Sequence, residues 1–118
     1  MRRLVMATLL ALAAFGTAAA TARAPVTIGV AEREFRISTY RAKVSPGPIK
    51  LNVSNFGQDT HNIVVTGPRG FRAQGPDVEP GGRGSLSATL RRPGTYVLLC
   101  TRANHNKLGM RAKLTVRR

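Results

Sequence analysis

Apolar residues recur at every second position in four stretches of the chain, and two further stretches are continuously apolar. The alternating stretches are residues 26–30, 49–54, 85–90 and 110–116, and the continuous ones are residues 61–66 and 95–100. A period of two is typical of a strand with one buried face, and a short β-branched run is typical of a central strand. No stretch after residue 24 has a helical period. The pattern therefore predicts strands throughout.

Glycine and proline separate these predicted strands, at Pro46-Gly47-Pro48, Gly67-Pro68, Pro80-Gly81-Gly82 and Pro93-Gly94. Each pair or triplet is a turn signal. Residues 67–84 hold six glycines and three prolines, which predicts an irregular loop at the edge of the fold. Seven or eight short strands predict an all-β chain folded as a two-sheet Greek-key β-sandwich.

The first part of the chain has the layout of a secretory signal peptide. Arg2 and Arg3 precede an apolar run over residues 4–15, and small residues follow. We predict a signal peptide over residues 1–20, with residue 22 as the alternative cleavage point, and a folded domain over residues 25–118. The alternative is an uncleaved membrane anchor, because residues 4–20 approach the roughly 20 residues that a spanning helix needs. Either way we expect an exported protein, in the periplasm or another extracytoplasmic space.

The net charge of the chain limits the classes of partner that it is expected to bind. The 118 residues include 19 Lys and Arg against 5 Asp and Glu, a formal net charge of +14. Such a chain is attracted to nucleic acid, anionic lipid or an acidic protein. Predicted export argues against nucleic acid. One Cys excludes an internal disulfide, and one Cys with two His excludes the common zinc-finger ligand sets.

The soft side chains of the predicted domain fall in one pattern. Cys100, His105 and Met110 are spaced C-x4-H-x4-M, and His61 opens an earlier strand. Cys100 closes one predicted strand and Met110 opens the next, so the loop between them can turn all three residues inward. Two His, one Cys and a weak thioether form the ligand set of a blue-copper electron-transfer site, whereas a thioether is a poor zinc ligand. Metal ligation also explains why an exported chain carries an unpaired thiol.

At these residues the chain resembles the cupredoxins, the plastocyanin-like small blue copper proteins. The matching segments are Asn55-Phe56-Gly57, His61-Asn62, Pro93-Gly94-Thr95-Tyr96 before Cys100, and Gly109-Met110 before Leu114-Thr115-Val116. The resemblance runs from about residue 26 to the end. One departure is Arg102-Ala103-Asn104 before His105, where many relatives have Pro or Gly.

The resemblance implies a cupredoxin-like sandwich that binds one copper ion, cycling between Cu(I) and Cu(II). It implies His61, Cys100 and His105 as equatorial ligands, Met110 as the axial ligand, and Asn62 as the residue that ties the two ligand loops together. It also implies a surface position for His105, through which the electron would leave.

We therefore expect a one-electron carrier rather than an enzyme. The alternative is a periplasmic copper-binding or copper-delivery protein without an electron-transfer role. Arg102 and Lys107 flank His105 and are predicted to form a docking rim for an acidic redox protein, such as a cytochrome or an oxidase domain. We expect a monomer, with weak association with anionic membrane as a further expectation.

Overall fold

Two sheets packed face to face form the molecule, as the alternating pattern predicts. The computed structural model describes residues 11–18 and 22–118. One sheet has the strand order β2-β1-β4-β7 and the other the order β3-β9-β8-β5-β6. The strands are β1 (Val26–Arg33), β2 (Arg36–Thr39), β3 (Lys43–Val44), β4 (Gly47–Asn55), β5 (His61–Gly67), β6 (Phe71–Val78), β7 (Arg83–Leu90), β8 (Gly94–Leu99) and β9 (Arg111–Val116).

The all-β sandwich is confirmed, with nine strands instead of seven or eight. Both sheets are mixed, because β1 runs parallel to β4 and β3 runs parallel to β9. The two continuous apolar runs are β5 and β8, and both lie inside their sheet as predicted. The additional strands β2 and β3 are four and two residues long. They are too short for an alternating pattern to identify.

The predicted loop over residues 67–84 is wrong. A 3₁₀ turn (Pro68–Gly70) leads into β6, which pairs with β5 at the edge of the second sheet. An edge strand tolerates glycine and proline, because one side of its backbone needs no ladder partner. Gly75 also packs closely, since a Cβ there would lie 3.0 Å from the Ile63 side chain.

The core lies between the sheets, where the inward residues of each strand meet. Ile28, Leu51, Leu98 and Leu114 are completely buried. Every strand and every buried residue of the described chain lies after residue 25. In the part of the chain that the structure describes, the sandwich and its core therefore lie within residues 26–118.

The predicted leader lies partly outside the described residues, which omit 1–10 and 19–21. Its described part, residues 11–18, is exposed and has no regular secondary structure. None of the described helices is long and apolar enough to cross a membrane.

Strand order brings the predicted site residues to one end of the sandwich. β5 begins at His61, β8 ends one residue before Cys100, and β9 begins one residue after Met110. The three strands are neighbours in the order β9-β8-β5, so these ends lie side by side. His105 lies in the loop between β8 and β9. We call this the metal end.

Candidate metal centre

Three buried side chains converge at the metal end. Nδ1 of His61 lies 3.2 Å from Nδ1 of His105. Sγ of Cys100 lies 3.7 Å from the His105 nitrogen and 4.0 Å from the His61 nitrogen. Among the described residues, these three form the one group of three or more His, Cys, Asp or Glu donors close enough to hold a metal ion.

The triangle of donor atoms has the size of a metal site. A circle through the three atoms has a radius of about 2.1 Å, which matches metal–nitrogen distances of about 2.0–2.1 Å and lies just below a metal–sulfur distance of about 2.3 Å. One ion can therefore contact all three donors without movement of the backbone. Two imidazoles and one thiolate are the ligands that copper takes in trigonal sites.

Cys100 is completely buried at the end of β8, on the same inward side as Tyr96 and Leu98. Burial raises the pKa of its thiol, and backbone hydrogen bonds from Asn62 and Arg102 oppose this only in part. A metal ion held by His61, Cys100 and His105 would supply the compensating charge, because a thiol that coordinates a metal loses its proton.

Met110 is also completely buried, and its backbone is tied to two of the donor residues. Its amide donates to the carbonyl of His105 at 3.1 Å, and its carbonyl accepts from the amide of Cys100 at 3.2 Å. These bonds close the loop from residue 100 to residue 110 around the cluster. Met110 carries the one remaining soft side-chain donor among the described residues of the domain.

The outer nitrogen of His61 has a carboxylate partner that the sequence analysis missed. Nε2 of His61 lies 3.0 Å from Oε1 of Glu34, in the turn between β1 and β2. The same oxygen accepts from the amides of Gln58 at 2.8 Å and Asp59 at 2.7 Å. Those two amides, with a smaller contribution from His61, lower the pKa of Glu34 to about 2. Glu34 is therefore anionic at neutral pH, and Nε2 of His61 is its donor.

Gly57 allows this contact. A Cβ at position 57 would overlap the Glu34 carboxylate. Asn55, the last residue of β4, holds this turn in place. Its side-chain oxygen Oδ1 accepts a hydrogen bond from the backbone amide of Gly57 at 2.8 Å. Its side-chain nitrogen Nδ2 donates to the carbonyls of Asp59 and Val78. No local pattern links residue 34 to residue 61, so only the tertiary fold shows the contact.

His105 is less exposed than the resemblance implies, with 7% of its surface accessible. The ring of Phe35 covers it, at a centroid distance of 5.2 Å. Oδ2 of Asp59 lies 3.5 Å from its outer nitrogen. Two consecutive residues of the turn between β1 and β2 thus contact the two imidazoles. Glu34 is hydrogen-bonded to His61, and the ring of Phe35 packs against His105.

Asn62 bridges the two segments that supply the donors. Its side-chain amide donates to the hydroxyl of Thr101 at 2.8 Å, and its side-chain oxygen accepts from the amide of Thr101 at 2.8 Å. Because Asn62 follows His61 and Thr101 follows Cys100, the pair of hydrogen bonds holds two donor residues at a constant separation.

The predicted docking rim carries charges of both signs. Arg102 makes an ion pair with Asp77 at 3.2 Å, and both side chains are about half exposed. Lys107 is exposed and makes no ion pair among the described residues. An open cavity of about 620 Å³ lies beside His105, lined by Asp59, Asp77 and Arg102 among others.

Glu32 is a second carboxylate that the sequence analysis missed. It continues the inward positions of β1 after Ile28 and Val30, is completely buried, and has no hydrogen-bond partner for either oxygen. Burial raises its pKa to about 8, so it is a neutral acid at pH 7. Extending the alternation of β1 by one step would have identified it as an inward residue.

The donor set fits copper better than zinc. Zinc sites of this size add a further thiolate, imidazole, carboxylate or water. The nearby carboxylates of Glu34 and Asp59 face the outer nitrogens of the two His, on the side away from the triangle. Copper, unlike zinc, accepts a thioether as a weak ligand, so the prediction of Met110 as a fourth donor is compatible with copper.

Comparison with known proteins agrees with this geometry. No protein-family model and no curated protein matches the sequence. A dithionite-reduced auracyanin from Roseiflexus castenholzii is similar in structure, with 25% identity, a TM-score of 0.66, and coverage of 81% of this chain and 100% of that one. Auracyanin A from Chloroflexus aurantiacus, described as a blue copper protein, has 21% identity, a TM-score of 0.68, and coverage of 79% and 99%.

A more distant similarity extends to a copper enzyme. A multicopper oxidase matches with 12% identity and a TM-score of 0.62, and the match covers 80% of this chain but 45% of the oxidase. That likeness shows the fold alone. The chain therefore has a cupredoxin-like fold that is similar to that of the auracyanins, and its buried His-Cys-His cluster fits a cupredoxin copper site.

Proposed function

We propose that the chain is an exported one-electron carrier that binds one copper ion through His61, Cys100, His105 and Met110. The observation that carries the proposal is the buried triangle of Nδ1, Nδ1 and Sγ, which already has the dimensions of a bound ion. Copper, when bound, supplies a Cu(I)/Cu(II) couple whose two states both accept this ligand set.

The residues around the triangle keep it rigid. Glu34 holds the proton of His61 on Nε2, which leaves the lone pair of Nδ1 facing the cluster. Asn62 and Thr101 hold the segments of His61 and Cys100 together. A site that does not move between two charge states gains and loses an electron with little rearrangement, which is the requirement for fast transfer.

We place electron exit at His105 and its cover Phe35, since Phe35 is 37% exposed and its ring contacts the imidazole in a tilted arrangement. Lys107, with Arg102 behind it, would face an acidic redox protein there. The ion pair of Arg102 with Asp77 reduces its share of the attraction, so Lys107 is the stronger docking charge. We propose that the carrier acts as a monomer.

Copper delivery is the competing function. A delivery protein has to release its ion, and here all three donor residues are buried, with His105 the most exposed at 7%.

An enzyme would need a second reactive group. Among the described residues, no other cluster of three metal-donor side chains exists to provide a catalytic ion.

A visible spectrum tests the site. Protein loaded with Cu(II) is expected to be intensely blue, from thiolate-to-copper charge transfer, and to bleach on one-electron reduction. Cys100→Ser is expected to lose the colour, while Lys50→Ser, on the outward side of β4, keeps it. A colourless wild-type complex under oxidising conditions contradicts the proposal.

Repeated redox cycling separates a carrier from a delivery protein. In the presence of a Cu(I) chelator, a carrier keeps its copper and its colour through many cycles. Loss of the metal to the chelator in the first reduced state would identify the protein as a delivery protein.

A further inference from the structure

The acidic side chains of this protein lie at one of its two ends. All five carboxylates of the sequence lie at the metal end: Glu32, Glu34, Asp59, Asp77 and Glu79. Glu32 lies at the end of β1 and Glu34 in the turn that follows it. Asp59 lies in the loop before β5. Asp77 lies near the end of β6, and Glu79 follows that strand.

At the opposite end, all the charged side chains are positive. We call it the basic end and define it by six exposed residues, Arg23, Arg41, Lys43, Arg91, Arg92 and Arg117. They lie before β1, between β2 and β3, at the start of β3, after β7 and after β9. None of the six makes an ion pair with any residue of the described chain.

Four of these cations surround one small cavity. Arg23, Arg41, Lys43 and Arg117 line a space of about 160 Å³, which has no carboxylate in its lining. Arg23 is held at its edge by a hydrogen bond of 3.0 Å to the carbonyl of Pro46. Like charges repel each other, so this arrangement is unfavourable unless an anion lies against it.

The two ends are far enough apart to act separately. β4 is nine residues long, which places its ends about 30 Å apart at the usual rise per residue. The screening length at physiological salt is about 8 Å. Charges at the basic end therefore do little to attract a partner to His105, and their concentration needs another explanation.

We propose that the basic end binds the surface of a membrane that contains anionic phospholipids and so directs the metal end away from the membrane. This goes beyond electron transfer and needs no copper. The cations come from separate loops around the end of the sandwich, which suits a broad surface of phosphate groups.

Vesicle sedimentation tests the proposal with residues 22–118, which contain all the described strands and all the described buried residues. The protein is expected to bind vesicles of phosphatidylglycerol mixed with phosphatidylcholine, and to remain in solution with phosphatidylcholine alone. Each Lys or Arg near an anionic surface strengthens binding about fivefold. A triple variant that combines Arg41→Ser, Lys43→Ser and Arg117→Ser should therefore bind the vesicles about 100-fold more weakly.

The matched control removes the same charge from the metal end. Arg36, Arg83 and Arg111 are equally exposed, and changing all three to Ser should weaken binding less than about fivefold. Equal losses for the two triple variants would show that net charge alone acts, and would overturn the proposal. Binding to duplex DNA but not to the anionic vesicles would also overturn it. Thermal melting of each variant confirms that the fold is kept.

Hydrogen exchange tests the orientation without any substitution. On anionic vesicles, amides of residues 40–45, 47, 91 and 92 should exchange more slowly than in solution. Amides of residues 56–60 and 101–109, at the metal end, should be unchanged. Slower exchange at 101–109 instead would place the metal end against the membrane and contradict the proposal.

Discussion

Oε1 of Glu34 accepts a hydrogen bond from Nε2 of His61 at 3.0 Å, across 27 residues of sequence. The contact selects the tautomer of His61 and adds a negative charge behind the imidazole that faces the donor cluster. Carboxylate–histidine–metal arrangements of this kind orient the ligand and increase its basicity. A more basic ligand stabilises Cu(II) more than Cu(I).

Glu34→Gln should therefore lower the affinity for Cu(II) and raise the reduction potential. Loss of such an outer partner typically costs 10- to 100-fold in metal affinity. If the affinity for Cu(I) is unchanged, this corresponds to a rise of about 60 to 120 mV, at 59 mV per tenfold for one electron. Potentiometric titration and competition with a Cu(II) chelator measure both quantities.

Glu79→Gln is the matched control, because Glu79 accepts from the hydroxyl of Thr60 in the same region and contacts no imidazole. Gly57→Ala is a second variant, which displaces the Glu34 carboxylate by steric overlap while leaving its charge in the chain. If Glu34→Gln leaves both potential and affinity at wild-type values, Glu34 does not position His61.

Glu32 should make stability fall as pH rises. The unfolded chain ionises this group near its ordinary pKa of 4.5, whereas the folded chain keeps the proton up to about 8. Between these values the unfolded state binds fewer protons, so unfolding becomes easier as pH increases. Glu32→Gln keeps a polar group of the same size without the ionisation.

The variant should therefore be more stable than the wild type by about 3 kcal/mol at pH 7, at about 1.4 kcal/mol per pKa unit, and equally stable below pH 4. Urea unfolding of the two apo proteins across this pH range gives the difference. A constant difference at all pH values would show that Glu32 does not titrate between the two states.

Met110→Leu should keep the blue colour and raise the reduction potential. The thioether is a weak donor that stabilises Cu(II), so its loss favours Cu(I), while the thiolate that produces the colour remains. Leucine has nearly the volume of methionine, so the fold should tolerate the change. Spectroelectrochemistry measures both properties. A potential equal to that of the wild type would exclude Met110 as the axial ligand.

Docking of an acidic partner should depend on salt and on Lys107. Long-range attraction is screened as the Debye length falls from about 30 Å at 0.01 M salt to about 8 Å at 0.15 M. The rate of electron transfer with an acidic cytochrome should fall across this range, and Lys107→Glu should slow association without changing the visible spectrum.

Lys50→Glu makes the same charge change on the outward side of β4, away from His105, and serves as the control. Stopped-flow mixing gives the rates. A rate that does not change with salt would indicate that docking is apolar, through exposed side chains such as Phe35 and Leu108.

Local patterns in the sequence predicted the features that depend on neighbours along the chain. Alternation identified the inward positions of β1, β4, β7 and β9, and the spacing C-x4-H-x4-M placed three donors around one turn. Local patterns failed at β6, where Gly75 and Pro76 predict a loop. Pairing with β5 at the sheet edge overrides that local preference.

The sequence by itself determined the all-β sandwich and the set of soft donors, because a period of two and the chemistry of Cys, His and Met do not depend on distant contacts. Only the tertiary structure decided the surroundings of those donors: Glu34 behind His61, Phe35 over His105 and Glu32 buried without a partner. It also decided that all the carboxyl groups lie at the metal end. These relationships depend on which strand ends lie side by side, and strand order is set by long-range pairing between segments far apart in the chain.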